Sequence, residues 1–262
     1  MLRLLLASLG LFALLGVDRA NATDSNGLRL LMLSAQDMNT PQTLLRADVE
    51  IEVAGPQGKR TTQAIALFAP GKDARWYWQS REPASRALVL GSDRKVLEQR
   101  GTTTQTVPIG APVDALGIAY EDLSRFIVDD FKTWQITDES ADNILVGMHP
   151  AVESGYVYRA YTFDKDKTVP TKAQFYAKTL SNLAKLRLDS DHILVGKKWL
   201  PTTIQIQNYV DNITTNLKVR WTQNASAPPE LLAPASFPAT SPLAWDAPAG
   251  TATPAAASSA SK

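Results

Sequence analysis

The chain has 262 residues, with 27 Lys and Arg against 26 Asp and Glu, and it contains no cysteine. The near-even charge gives no overall pull toward nucleic acid or an anionic membrane surface, and the missing cysteines exclude disulfide staples. Stability must come from packing and backbone pairing, for which this length provides ample core.

Arg3 opens the chain, residues 4–17 are almost wholly apolar, and Ala20-Asn21-Ala22 ends in the small-x-small pattern that signal peptidase reads. This predicts a cleavable export signal over 1–22, cut after Ala22, and a mature protein that works in the periplasm. The apolar run is shorter than the ~20 residues a membrane-spanning helix needs, and Asp18 and Arg19 follow it directly. A lipoprotein would need cysteine at the cut, where Thr23 stands.

Residues 27–38 (GLRLLMLSAQDM) space Leu28, Leu31, Met32 and Ala35 as one helical face, with Pro41 closing the segment. From Thr43 the period becomes two: Val49, Ile51 and Val53 face one way, Asp48, Glu50 and Glu52 the other. Gly55-Pro56-Gln57-Gly58 makes a turn into a returning strand over 60–70. Further strands are predicted over 74–80, 86–91, 95–100 and 103–107, joined by short connections that favour antiparallel neighbours.

The period changes again over 117–128 (GIAYEDLSRFIV), where Ile118, Leu123, Phe126 and Ile127 suit a second short helix. Strands resume over 133–137, 144–148, 156–164 and 171–178. Three long strands follow, each read with one dry face: Leu186 and Leu188 against Lys185, Arg187 and Asp189; Ile204 and Ile206 against Gln205 and Gln207; Leu217, Val219 and Trp221 against Lys218, Arg220 and Thr222. From Ala225 the composition turns to Pro, Ala, Ser and Thr. Leu231, Leu232 and Phe237 are read as docking on the domain edge, and 238–262 as a disordered tail.

Catalytic signatures are missing: there is no G-x-S-x-G and no H-E-x-x-H. The two histidines, His149 and His192, are read as ordinary surface or hydrogen-bonded residues, and no metal or cofactor is expected. Glu121-Asp122 and Asp129-Asp130 could act as acid and base, but a helix-start charge and a solvated turn explain them more simply. Trp76 and Trp78 share one side of their strand and Tyr77 takes the other, so the tryptophans are either core aromatics or cavity walls. Ala64, Ala66 and Phe68 carry more interest, since small residues on a concave face leave room for a ligand. Asn212-Ile213-Thr214 matches a glycosylation acceptor and is read instead as a turn entering a strand.

Three strings, 116–123 (LGIAYEDL), 156–178 with its central Val-Pro-Thr, and 199–221 (WLPTTIQIQNYVDNITTNLKVRW), occur in an order that resembles the LolA-like family of outer-membrane lipoprotein-sorting proteins, in its larger branch. The resemblance spans 27–237. It implies a mainly β domain over 23–237 with short α-helices: a curved antiparallel sheet forming an unclosed, LolA- or LolB-like half-barrel, covered by helices. Relatives hold lipid acyl chains in such a cavity.

Joined to the strand faces, the resemblance makes Val49, Ile51, Ala64, Ala66, Phe68, Trp76, Trp78, Leu186, Leu188, Ile204, Ile206, Leu217 and Val219 candidate walls. Leu28, Leu31, Met32, Leu123 and Phe126 become the lid. A ten-residue strand spans ~33 Å, enough to cover an acyl chain, and each buried CH₂ contributes ~0.8 kcal/mol. The expected function is a non-enzymatic, monomeric carrier or sensor for a lipid or lipidated protein. Its partners would include an inner-membrane transporter or an outer-membrane acceptor. The alternative is an envelope protein-interaction module, such as a stress-signalling regulator or exporter accessory, with a core filled by its own side chains. An envelope hydrolase would instead require two acids facing each other in a cleft.

Overall fold

Period-two alternation builds most of this molecule. In β1 (Leu45–Gly55) the residues Leu45, Ala47, Val49, Ile51 and Val53 are buried while Glu50 is exposed. The strand pairs antiparallel with β2 (Gly58–Phe68) across the predicted turn, where Gly58 takes the left-handed φ of +90°. The computed structural model describes residues 24–70, 74–78, 85–89, 96–100, 103–113 and 116–225. The export segment with its cut, Leu231, Leu232 and Phe237, and the predicted tail lie outside them.

The strands form a single sheet. After β2 come β3 (Ala74–Trp78), β4 (Ser85–Val89), β5 (Val96–Arg100) and β6 (Thr103–Val107). Then follow β7 (Phe131–Glu139), β8 (Asn143–Pro150), β9 (Tyr158–Asp164), β10 (Val169–Tyr176), β11 (Leu183–Val195), β12 (Lys198–Asn208) and β13 (Ile213–Gln223). The 13 strands run in the order β6-β5-β4-β3-β2-β1-β13-β12-β11-β10-β9-β8-β7, all neighbours described as antiparallel, and β6 does not pair with β7. The sheet is therefore an unclosed barrel. Its edges are protected against pairing with other chains: β6 is short and polar, and β7 carries two irregularities of register.

The first predicted helix spans Ser25–Asn39 (α1). Asp24 Oδ1 accepts from the Gly27 amide at 2.7 Å and so caps it, and Leu28, Met32 and Ala35 form the buried stripe. The second predicted helix, 117–128, does not form. The segment makes two 3₁₀ turns, Tyr120–Leu123 and Val128–Asp130, joined by extended chain. A continuous helix would stack Ile118, Asp122 and Phe126 on one face, and Asp122 is instead claimed by partners on the sheet.

The interior divides into two clusters. Under β1, β2, β12 and β13 the packing is aliphatic and includes Val49, Ile51, Ala64, Ala66, Ile206 and Leu217, joined by Ile109, Val113, Leu116, Ile118 and Tyr120 from the connector between β6 and β7. Under β8 to β10 it is aromatic. There Phe131, Tyr161, Phe163 and Phe175 pack with Phe126 and with Leu28 and Met32 of α1. Phe126 meets Phe131, Tyr161 and Phe163 at ring-centroid distances of 5.9, 5.2 and 5.3 Å.

The strand faces match the predicted alternation on β1, β12 and β13 and reverse it on β11. Leu186 and Leu188 are half-buried on the outer face, while Lys185, Arg187 and Asp189 point inward. The hairpin register explains this. The turn at Gly196, with φ +64°, sets Arg187 opposite Ile206 and Asp189 opposite Ile204, so residues paired with the inward isoleucines must share their face.

Candidate functional site

The Tyr-Glu-Asp-Leu string at 120–123 is the centre of the site. Glu121 and Asp122 are 2% and 1% exposed, so they are neither a solvated turn nor a bare helix-start charge. Glu121 Oε2 accepts from Arg159 Nη2 at 2.5 Å and from Ser154 Oγ at 2.8 Å, and its Oε1 accepts from the Gly155 amide at 2.9 Å. A Cβ on residue 155 would stand 2.8 Å from that oxygen, which is why glycine is needed there. Asp122 takes Lys185 Nζ at 2.6 Å, Tyr156 Oη at 2.6 Å and the Ala119 amide at 2.7 Å, while its backbone carbonyl accepts from Arg187 at 2.8 Å.

Each carboxylate thus has its own cation. The environment holds these charges in place. Arg159 sits 5.8, 5.4 and 5.7 Å from the rings of Phe131, Tyr156 and Phe175. Burial works against its charged form, but Tyr161 and Glu121 outweigh burial and keep its pKa above the ordinary guanidinium value. Burial, then the neighbouring Asp122, pushes the Tyr156 phenol far above its usual range, so it stays a hydrogen-bond donor.

The segment is also tied at both ends. Asn208 donates to the Gly117 carbonyl at 2.8 Å, Thr215 Oγ1 donates to the Leu116 carbonyl, and the Val128 amide donates to Gln36 Oε1 on α1 at 2.8 Å. Gly117 adopts φ +71° with its Cα against Ile213, where a Cβ would lie 2.5 Å from the isoleucine side chain.

Between this pinned segment and the sheet lies a hollow of about 100 Å³. Its walls come from both clusters: Leu45, Ala47, Phe68 and Trp76 from β1 to β3, Leu200, Ile204 and Ile206 from β12, Leu217, Val219 and Trp221 from β13, and Tyr161, Ala173 and Phe175 opposite. Glu121, Asp122, Leu123, Ser124, Arg125 and Phe126 contribute the wall from the pinned segment, Lys172 lines it from β10, and Arg187 and Asp189 bring a paired charge to it. A cavity of ~150 Å³ takes one benzene, so the hollow in this arrangement admits a small apolar group and a full chain only if the pinned segment moves. A second, more open pocket of about 350 Å³ lies beside the β12–β13 turn, lined by Ile118, Tyr156, Lys185, Asn208, Val210 and Ile213 among others. Glu121 lines both.

Of the residues singled out in the sequence, Phe68, Trp76, Ile204, Ile206, Leu217, Val219, Leu123 and Phe126 stand on the wall of the hollow. Val49, Ile51, Ala64 and Ala66 are buried in the aliphatic cluster away from it. Leu28 and Met32 are buried in the aromatic cluster and Leu31 packs against it. Leu186 and Leu188 are off the wall altogether, on the outer face, and the Trp78 side chain lies outside the description. The acid-base network was not foreseen. Its one advance signal was the Gly196 turn, which fixes the inward register of Lys185 and Arg187.

Among the described residues, no group of three or more His, Asp or Glu gathers as metal ligands would. His149 is exposed on β8 beside Tyr158, with ring centroids 5.0 Å apart, and His192 is half-buried on β11. Asn212 takes φ +53° in the turn and Ile213 begins β13, as the turn-then-strand reading requires.

An open, curved antiparallel sheet with a pinned segment and one helix across its concave side is the architecture of the LolA-like fold. No protein-family model matches the sequence, and no curated protein matches it; solved structures show the likeness. A domain assigned to outer membrane lipoprotein sorting, from Vibrio parahaemolyticus, superposes with a TM-score of 0.64 at 16% identity, over 76% of this chain and 93% of that one. A LolA superfamily protein from Nitrosomonas europaea gives 0.63 at 16% identity, over 78% and 96%. A DUF1329 family protein from Desulfovibrio piger gives 0.55 at 14%, over 76% and 92%. The chain has the fold of the LolA superfamily.

Proposed function

We propose that the protein is an exported, periplasmic carrier or sensor that shelters an acyl chain of a lipid or lipidated protein against the concave face of its sheet. The observation that carries this reading is an apolar hollow roofed by a segment that is held by ion pairs and single hydrogen bonds rather than by a regular helix. Such a roof can be displaced as a unit. The chain would enter between Leu123 and Phe126 and the walls from β12 and β13, replacing contacts that the roof now makes. Donor and acceptor would be envelope membrane proteins, and no covalent step is assigned. The fold shared with lipoprotein-sorting domains supports the reading.

Lipid extraction of the mature protein purified from native membranes, followed by mass spectrometry, tests it together with titration of delipidated protein by a fluorescent fatty acid. We expect co-purified lipid and saturable binding. If neither is found, the exported interaction module is the better reading.

A further inference from the structure

Of the residues that line the hollow, Trp76 is the one with a buried polar atom, Nε1, that has no partner among the described residues. Trp76 is 5% exposed. Its neighbour Phe68 meets it edge-on at 6.1 Å and offers no acceptor. The contrast with Trp221, on the same wall, is direct: that indole donates to the Pro201 carbonyl at 2.8 Å. Buried indole N–H groups usually find a partner, and one left unmade costs the desolvation of the donor.

Pure hydrocarbon in the hollow would leave this donor as it is. An oxygen acceptor would relieve it. The charged side chains lining the hollow balance, Arg125, Lys172 and Arg187 against Glu121, Asp122 and Asp189, and Arg187 is bound to Asp189 at 2.7 Å. An uncharged acceptor therefore suits this part of the wall better than a buried carboxylate.

We propose that Trp76 Nε1 is the donor that reads the carbonyl of a fatty-acyl ester lodged in the hollow, which makes the occupant an acyl ester rather than bare hydrocarbon. The inference rests on the carrier reading and adds a specificity residue to it. Trp76 lies on β3 beside the end of β2, so the carbonyl would sit near the start of β1 and the end of β13, with the alkyl chain running on toward Ile206 and Leu217.

The test uses two short-chain, monomer-forming phosphatidylcholines of equal chain length, one ester-linked and one ether-linked, competing with a fluorescent fatty acid on the delipidated protein. Wild type is expected to prefer the ester roughly tenfold, and Trp76→Phe to bind both lipids alike. A second readout needs no variant to bind: the Trp76 indole ¹H–¹⁵N resonance, assigned by its loss in Trp76→Phe, should move downfield with the ester and stay with the ether. Equal affinity in wild type, or a preference that survives Trp76→Phe, overturns this inference and leaves the carrier reading standing. If neither lipid competes and the fatty acid itself does not bind, both fall.

Discussion

The two halves of the interior solve the same problem differently. Under β8 to β10, rings from Phe126, Phe131, Tyr161 and Phe163 meet at van der Waals range beneath a capped helix, and Phe163 is fully buried. Under β1, β2, β12 and β13, alanines and branched aliphatics are covered by a connector with little regular structure, and a hollow remains where the halves meet. Large flat side chains fill space by interlocking. Small ones line it and leave its filling to whatever covers them. The aromatic half is accordingly a foundation and the aliphatic half an adaptable surface.

The sharpest way to break this contrast is to cut the pin that crosses between the halves. Glu121→Gln leaves Arg159 buried among three rings without its counter-ion, and losing one partner of a buried pair costs about 4 kcal/mol. Thermal melting should show a fall on the order of 10 °C. Next, Phe163→Ala removes a ring from the foundation and should cost about 3 kcal/mol in urea unfolding.

Ala47→Leu sharpens the other side. Ala47 lines the hollow, so the added carbons enter vacant space, and stability should change by less than about 1 kcal/mol. Fluorescent fatty-acid binding should nevertheless weaken at least about tenfold, because the leucine occupies the ligand's place.

The smallest effect concerns pH. Burial, only partly offset by Asp189, lowers the His192 pKa below its usual 6.5. The unfolded chain then binds more protons than the folded one, so stability rises with pH through that value and is lost as pH falls below it. Since His192 is only half-buried, the loss between pH 7.5 and 5.5 should stay under about 1 kcal/mol, and His192→Gln should flatten this part of the melting profile.

The fold was legible wherever one strand face was apolar and the other charged. On β1 and β13 the outward residues even form cross-strand pairs, Glu50 with Lys218 and Asp48 with Arg220. Alternation by itself was misleading on β11, because a strand that buries Lys185 and Arg187 shows the same period as one that buries Leu186 and Leu188. Only the register imposed by the Gly196 turn distinguishes the two. The 117–128 segment was misread for a related reason. Its apolar spacing is helical, but the partners that decide its shape, Arg159, Lys185 and Arg187, come from strands 38 or more residues later in the chain. Local periodicity does not register long-range charge pairing.

The outermost strands, β6 and β7, are consecutive in the chain although they lie at opposite rims of the sheet. Residues 108–113 and 116–130 therefore act as the chord of an arc, like the string of a bow. A chord fixes curvature: shortening it draws the rims together, and lengthening it lets the arc relax. Adding or removing residues over 108–113, which are off the wall of the hollow, would change the bore of the whole molecule and leave every wall residue in place.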